Sequence, residues 1–264
     1  MASKDKVAAA RAAAQAQVKA RERRALVMWI VLGVVLAGLF AALVAYIVRQ
    51  AQVGEIGAGG SSVPTVSTEN GAIPVGQGGV AGQDLDSSRV RLDVYFDFMC
   101  PYCQMFEQSQ SSMLDELQAQ GVVDVYYHPL NFLDRFSRGT QYSLRSASAA
   151  ALVAQEQPDK FVDYVRLLFA NQPKENTAGL DDATLVALAK QAGVDDAVAE
   201  RIPDHEYAGW VRQATERASQ DGVSFTPEIA INGELQDVNA DSSAVNWSVN
   251  GALREALLAA HNAA

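Results

Sequence analysis

Residues 89–103 pass from an alternating apolar pattern straight into the tetrad Cys100-Pro101-Tyr102-Cys103, and those two cysteines are the only ones among 264 residues. Val90, Leu92, Val94 and Phe96 alternate with Arg91, Asp93, Tyr95 and Asp97, the period of two that a strand requires. Pro101 suits the first turn of a helix, where a missing N–H costs no hydrogen bond. Phe106, Met113, Leu114 and Leu117 carry an apolar side on to Gly121, a C-terminal cap. Residues 122–127 read as the next strand, closed by His128-Pro129-Leu130. The expected unit is strand, helix, strand, with both cysteines at the strand-to-helix corner.

That position bears on their chemistry. Two cysteines separated by two residues close a small disulfide ring with little backbone movement. Cys100 would lie beside free backbone N–H groups and the positive end of the helix dipole, which stabilises its thiolate below the free value of about 8.5. Cys103, one turn further in, would be more shielded. Zinc needs four ligands, and His128, His205 and His261 are scattered with no second cysteine pair, so no metal is expected. A purely structural bridge from i to i+3 constrains almost no chain and stabilises little. Reversible thiol–disulfide exchange is the use that remains.

Upstream, residues 25–48 form an uncharged apolar run with Trp29 and Tyr46 near its ends. As a helix it reaches about 36 Å, enough for a hydrocarbon core of about 30 Å. Seven basic and two acidic side chains precede it in residues 1–24, and only Arg49 is basic between it and Arg89. The positive-inside rule keeps the N-terminus cytoplasmic and sends the rest outside, giving a single-pass cell-membrane protein. The run is longer than the apolar region of a cleaved signal peptide, about 7 to 15 residues, so an uncleaved anchor is expected. No cysteine stands where a lipoprotein needs one. The net charge of -10 divides into +5 for the first 24 residues and -15 for the remainder. So acidic an exterior argues against a nucleic-acid partner.

Residues 49–85 are rich in Gly, Ser, Val, Gln and Pro without a period, the composition of a flexible tether with a reach of about 30 to 36 Å. A short edge strand within 71–83 is the one local exception considered. A single domain is expected over 86–264. After the first strand–helix–strand unit, helices are expected over 142–155, 159–170, 182–192 (capped by Asp181), 195–201 and 207–220. A hairpin follows, 228–231 and 234–238 about Asn232-Gly233, then a helix over 247–260. The fold class is α/β, interrupted by a helical insertion at about 140–221.

Phe96-Asp97-Phe98-Met99-Cys100-Pro101-Tyr102-Cys103, the later Phe225-Thr226-Pro227 and the insertion between them resemble the DsbA-like branch of the thioredoxin superfamily, especially its membrane-anchored actinobacterial forms. The resemblance covers about residues 84–264 and implies a thioredoxin fold. It implies catalysis by Cys100 and Cys103, with Pro101 and Tyr102 tuning the thiolate. Pro227 would be the cis proline facing the disulfide, keeping metal away from Cys100 and presenting the Thr226 backbone to an extended substrate. No cofactor beyond the redox-active disulfide is implied. The implied partners are unfolded exported proteins with cysteines and a membrane reoxidant of DsbB-like or VKOR-like type. With only a tether ahead of the fold, a monomer is expected.

One departure stands out. Relatives often bury an acid six residues before the first cysteine, and this chain has Val94 there. Asp93 points to the other face and Asp97 sits at the strand end, so neither inherits the role by position. Glu228, after the loop proline, is the substitute considered. His128 reads as a satisfied strand-end side chain, Phe98, Met99 and Phe106 as core and groove wall, Trp210 and Trp247 as helix packing. The expected function is a thiol oxidase of exported proteins. A disulfide isomerase or reductase is the alternative, and a redox-independent chaperone module a more distant one.

Overall fold

The computed structural model describes residues 28, 29, 33, 35–43, 60–239 and 241–263. The chain divides into two units, Met1–Val53 and Gly54–Ala264. In the first, residues 28, 29, 33 and 35–43 are helical. No helix among the described residues is long and apolar enough to cross a membrane, and most of the span expected over 25–48 lies outside them.

The second unit is built on a five-stranded mixed sheet. Its strands are β1 (Ile73–Val75), β2 (Val90–Phe96), β3 (Val123–Pro129), β4 (Glu228–Ile231) and β5 (Glu234–Leu235), in the order β1-β3-β2-β4-β5. Only β2 and β3 run parallel, with Val94 opposite Tyr127 and Phe96 opposite Pro129. The crossover between them is α1 (Pro101–Ala119). At its end Gly121 takes φ 72°, and the amides of Gly121 and Val122 return to the carbonyls of Gln118 and Leu117. This double closure satisfies the last carbonyls of the helix and turns the chain into β3.

The helical insertion comprises α2 (Tyr142–Glu156), α3 (Phe161–Ala170), α4 (Asp182–Gln191), the single turn α5 (Asp196–Ala199) and α6 (Ala208–Gln220). Asp181 caps α4 by accepting the Thr184 amide at 2.8 Å. Alanines and serines dominate α2, and twelve of its fifteen residues are buried, which lets neighbouring helices approach closely. Trp210 of α6 is wholly buried there. Asn232 and Gly233 both take positive φ, as a tight two-residue hairpin between β4 and β5 requires.

Three boundaries differ from expectation. Residues 60–85, expected within the tether apart from a short edge strand within 71–83, are folded onto the domain: that edge strand is β1, which pairs antiparallel with β3, and Ala72, Ile73 and Val75 have no exposed surface. Gln118 of α1 donates to the carbonyl of Val75 at 3.0 Å. Gly76 serves close approach, since any Cβ there would collide with the main chain of Asp84. Second, β5 ends at Leu235 rather than reaching 238. Third, the last helix, α7 (Ala252–Ala263), starts five residues late. Asp241 and Asn246 accept the amides of Ser243 and Ser248, holding 241–248 in side-chain-capped turns that compete with a helix. Trp247 in this stretch packs edge-on against Phe106 of α1, ring centroids 5.3 Å apart.

If β1 belongs to the domain, Ile73→Ala should cost about 2–5 kcal/mol, the usual range for a buried Ile or Leu truncation, read by urea unfolding. An unchanged midpoint would return this segment to the tether.

Candidate active site

The corner between β2 and α1 positions the two thiols, both reduced in this structure. Four residues, Asp97 to Cys100, convert strand into helix. The Cys100 amide returns to the Asp97 carbonyl at 3.0 Å, and the Asp97 carboxylate accepts the Met99 amide at 2.8 Å. Cys100 is the N-cap in extended conformation, with Pro101 in the first turn behind it. The sequence therefore places the first sulfur where the N–H groups of a new helix have no intrahelical acceptor.

The second wall is the loop before β4. The Thr226–Pro227 peptide is cis, and Cys100 Sγ lies 3.1 Å from the Thr226 carbonyl. Pro227 lines a small cavity, about 10 Å³, together with Val94, Phe96, Cys103, Glu107 and Phe169. That is room for about one water. Tyr102, Met105 and Phe225 are exposed nearby in sequence, while Cys100 itself is only 4% exposed.

The two thiols are pushed in opposite directions. Cys100 is lowered to about 6: the Cys103 thiol donates to its sulfur, burial opposes, and the Thr226 side chain and the amides of Cys103 and Tyr102 assist. A carbonyl at 3.1 Å favours the protonated form, and the donors outweigh it. Cys103 is wholly buried and pushed up, first by burial and then by the same bond to Cys100. The start of the helix thus holds the thiol that is pushed down, Cys100, and its buried first turn the thiol that is pushed up, Cys103.

Cys100 lies against Thr226 and Cys103 shares a cavity with Pro227, while Pro101 and Tyr102 separate the two cysteines in the first turn of α1. Glu228 is placed elsewhere. Strand alternation sends the residue after Pro227 to the opposite face, where it is buried across from Tyr95 and accepts the Ser224 amide at 3.1 Å. Asp93 and His128 share that face. Their bond is 2.8 Å long, Arg91 pairs with Asp93 and His128 stacks on Tyr95, so His128 is the satisfied side chain expected. Burial pushes Asp93 up, but His128 and Arg91 hold it below the usual carboxylate range; burial keeps His128 low.

Two residues escaped the sequence reading. Gln172, just beyond α3, donates one amide nitrogen to the carbonyls of Phe98 (3.0 Å) and Cys100 (2.8 Å), clamping the corner from the insertion. No local pattern marks it. Asp97 has no exposed surface, and its amide lies 3.5 Å from Cys103 Sγ. Its signal was present: a carboxylate at the end of an apolar strand, three residues before the tetrad. Among the described residues no group of three or more His, Cys, Asp or Glu could hold a metal ion.

The family model described as Thioredoxin matches residues 85–249. The chain belongs to the thioredoxin family. Its relatives include serine/threonine-protein kinase PknE of Mycobacterium tuberculosis, 32% identical over 138 residues, which are 51% of this chain and 24% of the kinase. The chain therefore spans about a quarter of that kinase's length. Disulfide bond formation protein D of Bacillus subtilis is 24% identical over 71% of this chain and 85% of the relative. Among solved structures, oxidised DsbA of M. tuberculosis superimposes with a TM-score of 0.57 and 26% identity, covering 72% of this chain and 92% of that one. The fold is shared with that DsbA over the part covered.

Thiolate absorbance of the reduced chain should rise in a wave centred at about pH 6 and lose it in Cys100→Ser. A depressed folded-state value means that the Cys100 contribution to stability of the reduced form is complete above the ordinary thiol value and is lost as pH falls through about 6. A wave centred near the ordinary value instead would show that the corner does not stabilise the thiolate.

Proposed function

We propose that the chain is a protein-disulfide oxidoreductase that donates the Cys100–Cys103 disulfide to exported proteins outside the membrane. The observation that carries this reading is the opposed tuning of the two thiols, with Cys100 the low one and beside the Thr226 carbonyl. A sulfur with a stabilised thiolate is a good leaving group, so a pair tuned this way gives its disulfide away readily.

In the oxidised enzyme a substrate thiolate attacks Cys100 Sγ. A substrate–Cys100 bond forms, the Cys100–Cys103 bond breaks, and its electron pair leaves on Cys103, which takes up a proton. A second substrate thiolate attacks the substrate-side sulfur, closing the substrate disulfide and releasing Cys100 as thiolate. Two substrate thiols are oxidised and one enzyme disulfide is reduced. An extended substrate would lie along the Thr226 backbone, against the exposed apolar side chains of Tyr102, Met105 and Phe225.

The reduced pair then needs an electron acceptor, which the family resemblance assigns to a quinone-linked membrane partner of DsbB-like or VKOR-like type. An anchor over residues 25–48, with the N-terminus cytoplasmic, would keep the domain near that partner. The names of the Bacillus and mycobacterial relatives, a disulfide bond formation protein and a DsbA, support the same reading.

Two measurements test it. Cys100→Ser should abolish oxidation of a reduced, unfolded substrate, and full retention would leave only a chaperone role. The reduction potential of the pair should lie well above the roughly -270 mV of thioredoxin, toward the roughly -120 mV of DsbA. A value at the thioredoxin end would make the chain a reductase.

A further inference from the structure

The loop that brings Thr226 and Pro227 to the thiols is anchored by main chain only at its two ends. At its start the Val223 amide closes α6 on the Ala218 carbonyl at 3.0 Å, and at its end Glu228 enters β4 opposite Tyr95. Ser224 and Phe225 between them are exposed, and Pro227 has no N–H to give. Among the described residues, no main-chain carbonyl accepts the N–H groups of 224–226. Yet the Thr226 carbonyl is held 3.1 Å from Cys100 Sγ.

The Glu228 carboxylate supplies the missing tie. It reaches back four residues to accept the Ser224 amide at 3.1 Å, and the Phe225 amide bonds to it as well. Glu228 is 2% exposed, on the sheet face that also carries Tyr95 and Ala230, which pack with Val223 in an apolar cluster. No Lys, Arg or His is paired with it among the described residues, and Asp237, of like charge, acts against its ionisation. An apolar side chain would be buried here at less cost, because a carboxyl leaves water without loss only where its hydrogen bonds are replaced. The replacements are two amides of the loop.

We propose that Glu228 is a positioning residue: by accepting the Ser224 and Phe225 amides it braces loop 224–227, so that Thr226 faces Cys100 and an extended substrate meets a main chain already in place. This rests on the oxidoreductase reading above. A braced loop avoids the ordering cost that a free one would add when the substrate docks. The brace acts through the main chain from the face of the sheet that the thiols do not share. Burial pushes Glu228 up and Asp237 adds to the rise, against the two amides. Either protonation state keeps an oxygen that accepts, so the brace depends on the acceptor and not on the charge.

The test compares two dithiols in a single turnover of the oxidised full chain: dithiothreitol, which needs only the Cys100–Cys103 bond, and an extended peptide with two cysteines, which also uses the loop. In each, two substrate thiols close to a disulfide and the Cys100–Cys103 bond is reduced. Glu228→Leu removes the acceptor while filling similar space, and should lower the ratio of peptide to dithiothreitol rates by about 10-fold, the order of one lost hydrogen bond. Glu228→Gln keeps an acceptor oxygen and should leave the ratio within about 2-fold. A ratio unchanged in Glu228→Leu, whether both rates fall together or neither falls, overturns the proposal. So does a ratio that falls as far in Glu228→Gln. Should Glu228→Leu fail to fold, amide hydrogen exchange in the unmutated chain decides: Ser224 and Phe225 must be protected despite their exposure, and free exchange at either overturns the proposal. Exchange needs no substrate, so a chain that oxidises neither dithiol refutes the oxidoreductase reading while the brace is still read at these two amides.

Discussion

The pairing of the two thiols at the start of α1 governs the rest of the site, because it acts with opposite sign on its two members. It lowers Cys100 and raises Cys103. Such a pairing requires a corner at which the first cysteine caps the helix and the second follows within its first turn. Only a strand that stops at Phe96 and a helix that starts at Pro101 deliver that spacing. The sheet, the crossover and the loop at Pro227 can be understood as what holds this corner against solvent.

The central sheet keeps its two faces chemically apart. On one, Phe96, Tyr127 and Phe169 make an aromatic wall around Cys103 with centroids 5.6 to 6.2 Å apart. On the other, the Arg91–Asp93 ion pair and His128, bonded to the same carboxylate, lie beside Tyr95. A buried carboxylate such as Asp93 costs desolvation that its bonds to Arg91 and His128 only offset. Its fixed charge is best placed where it does not reach the thiols, and strand alternation supplies that separation without further design.

Much of this was legible in the chain. The period-two pattern ending at Phe96, Pro101 in the first helical turn, Gly121 at its end and Asn232-Gly233 in the hairpin each rest on local backbone rules, and local rules survive folding. What escaped depends on distant partners. Apart from the edge strand at 73–75, residues 60–85 looked like a tether because glycine reads as freedom, whereas Gly76 is there to let two stretches of main chain meet. Glu228 was favoured for its neighbourhood in sequence, and alternation turned it away. Asp97 was set aside as a strand-end residue, and only the loop at Leu133 and the start of α2 bury it.

Those burying groups come from outside the strand–helix–strand unit. Leu133 precedes the insertion and donates to Asp97; Gln172 lies inside it and donates to the carbonyls of Phe98 and Cys100. The inserted helices therefore act on the chemistry through the main chain of the corner. Because backbone amides and carbonyls carry most of these contacts, substitutions at exposed positions of the tetrad change little of the framework, while a shift of α3 would move the dipoles that set both thiols. Reactivity here is thus a property of how the insertion packs on the sheet, and the identities of the four tetrad residues express only part of it.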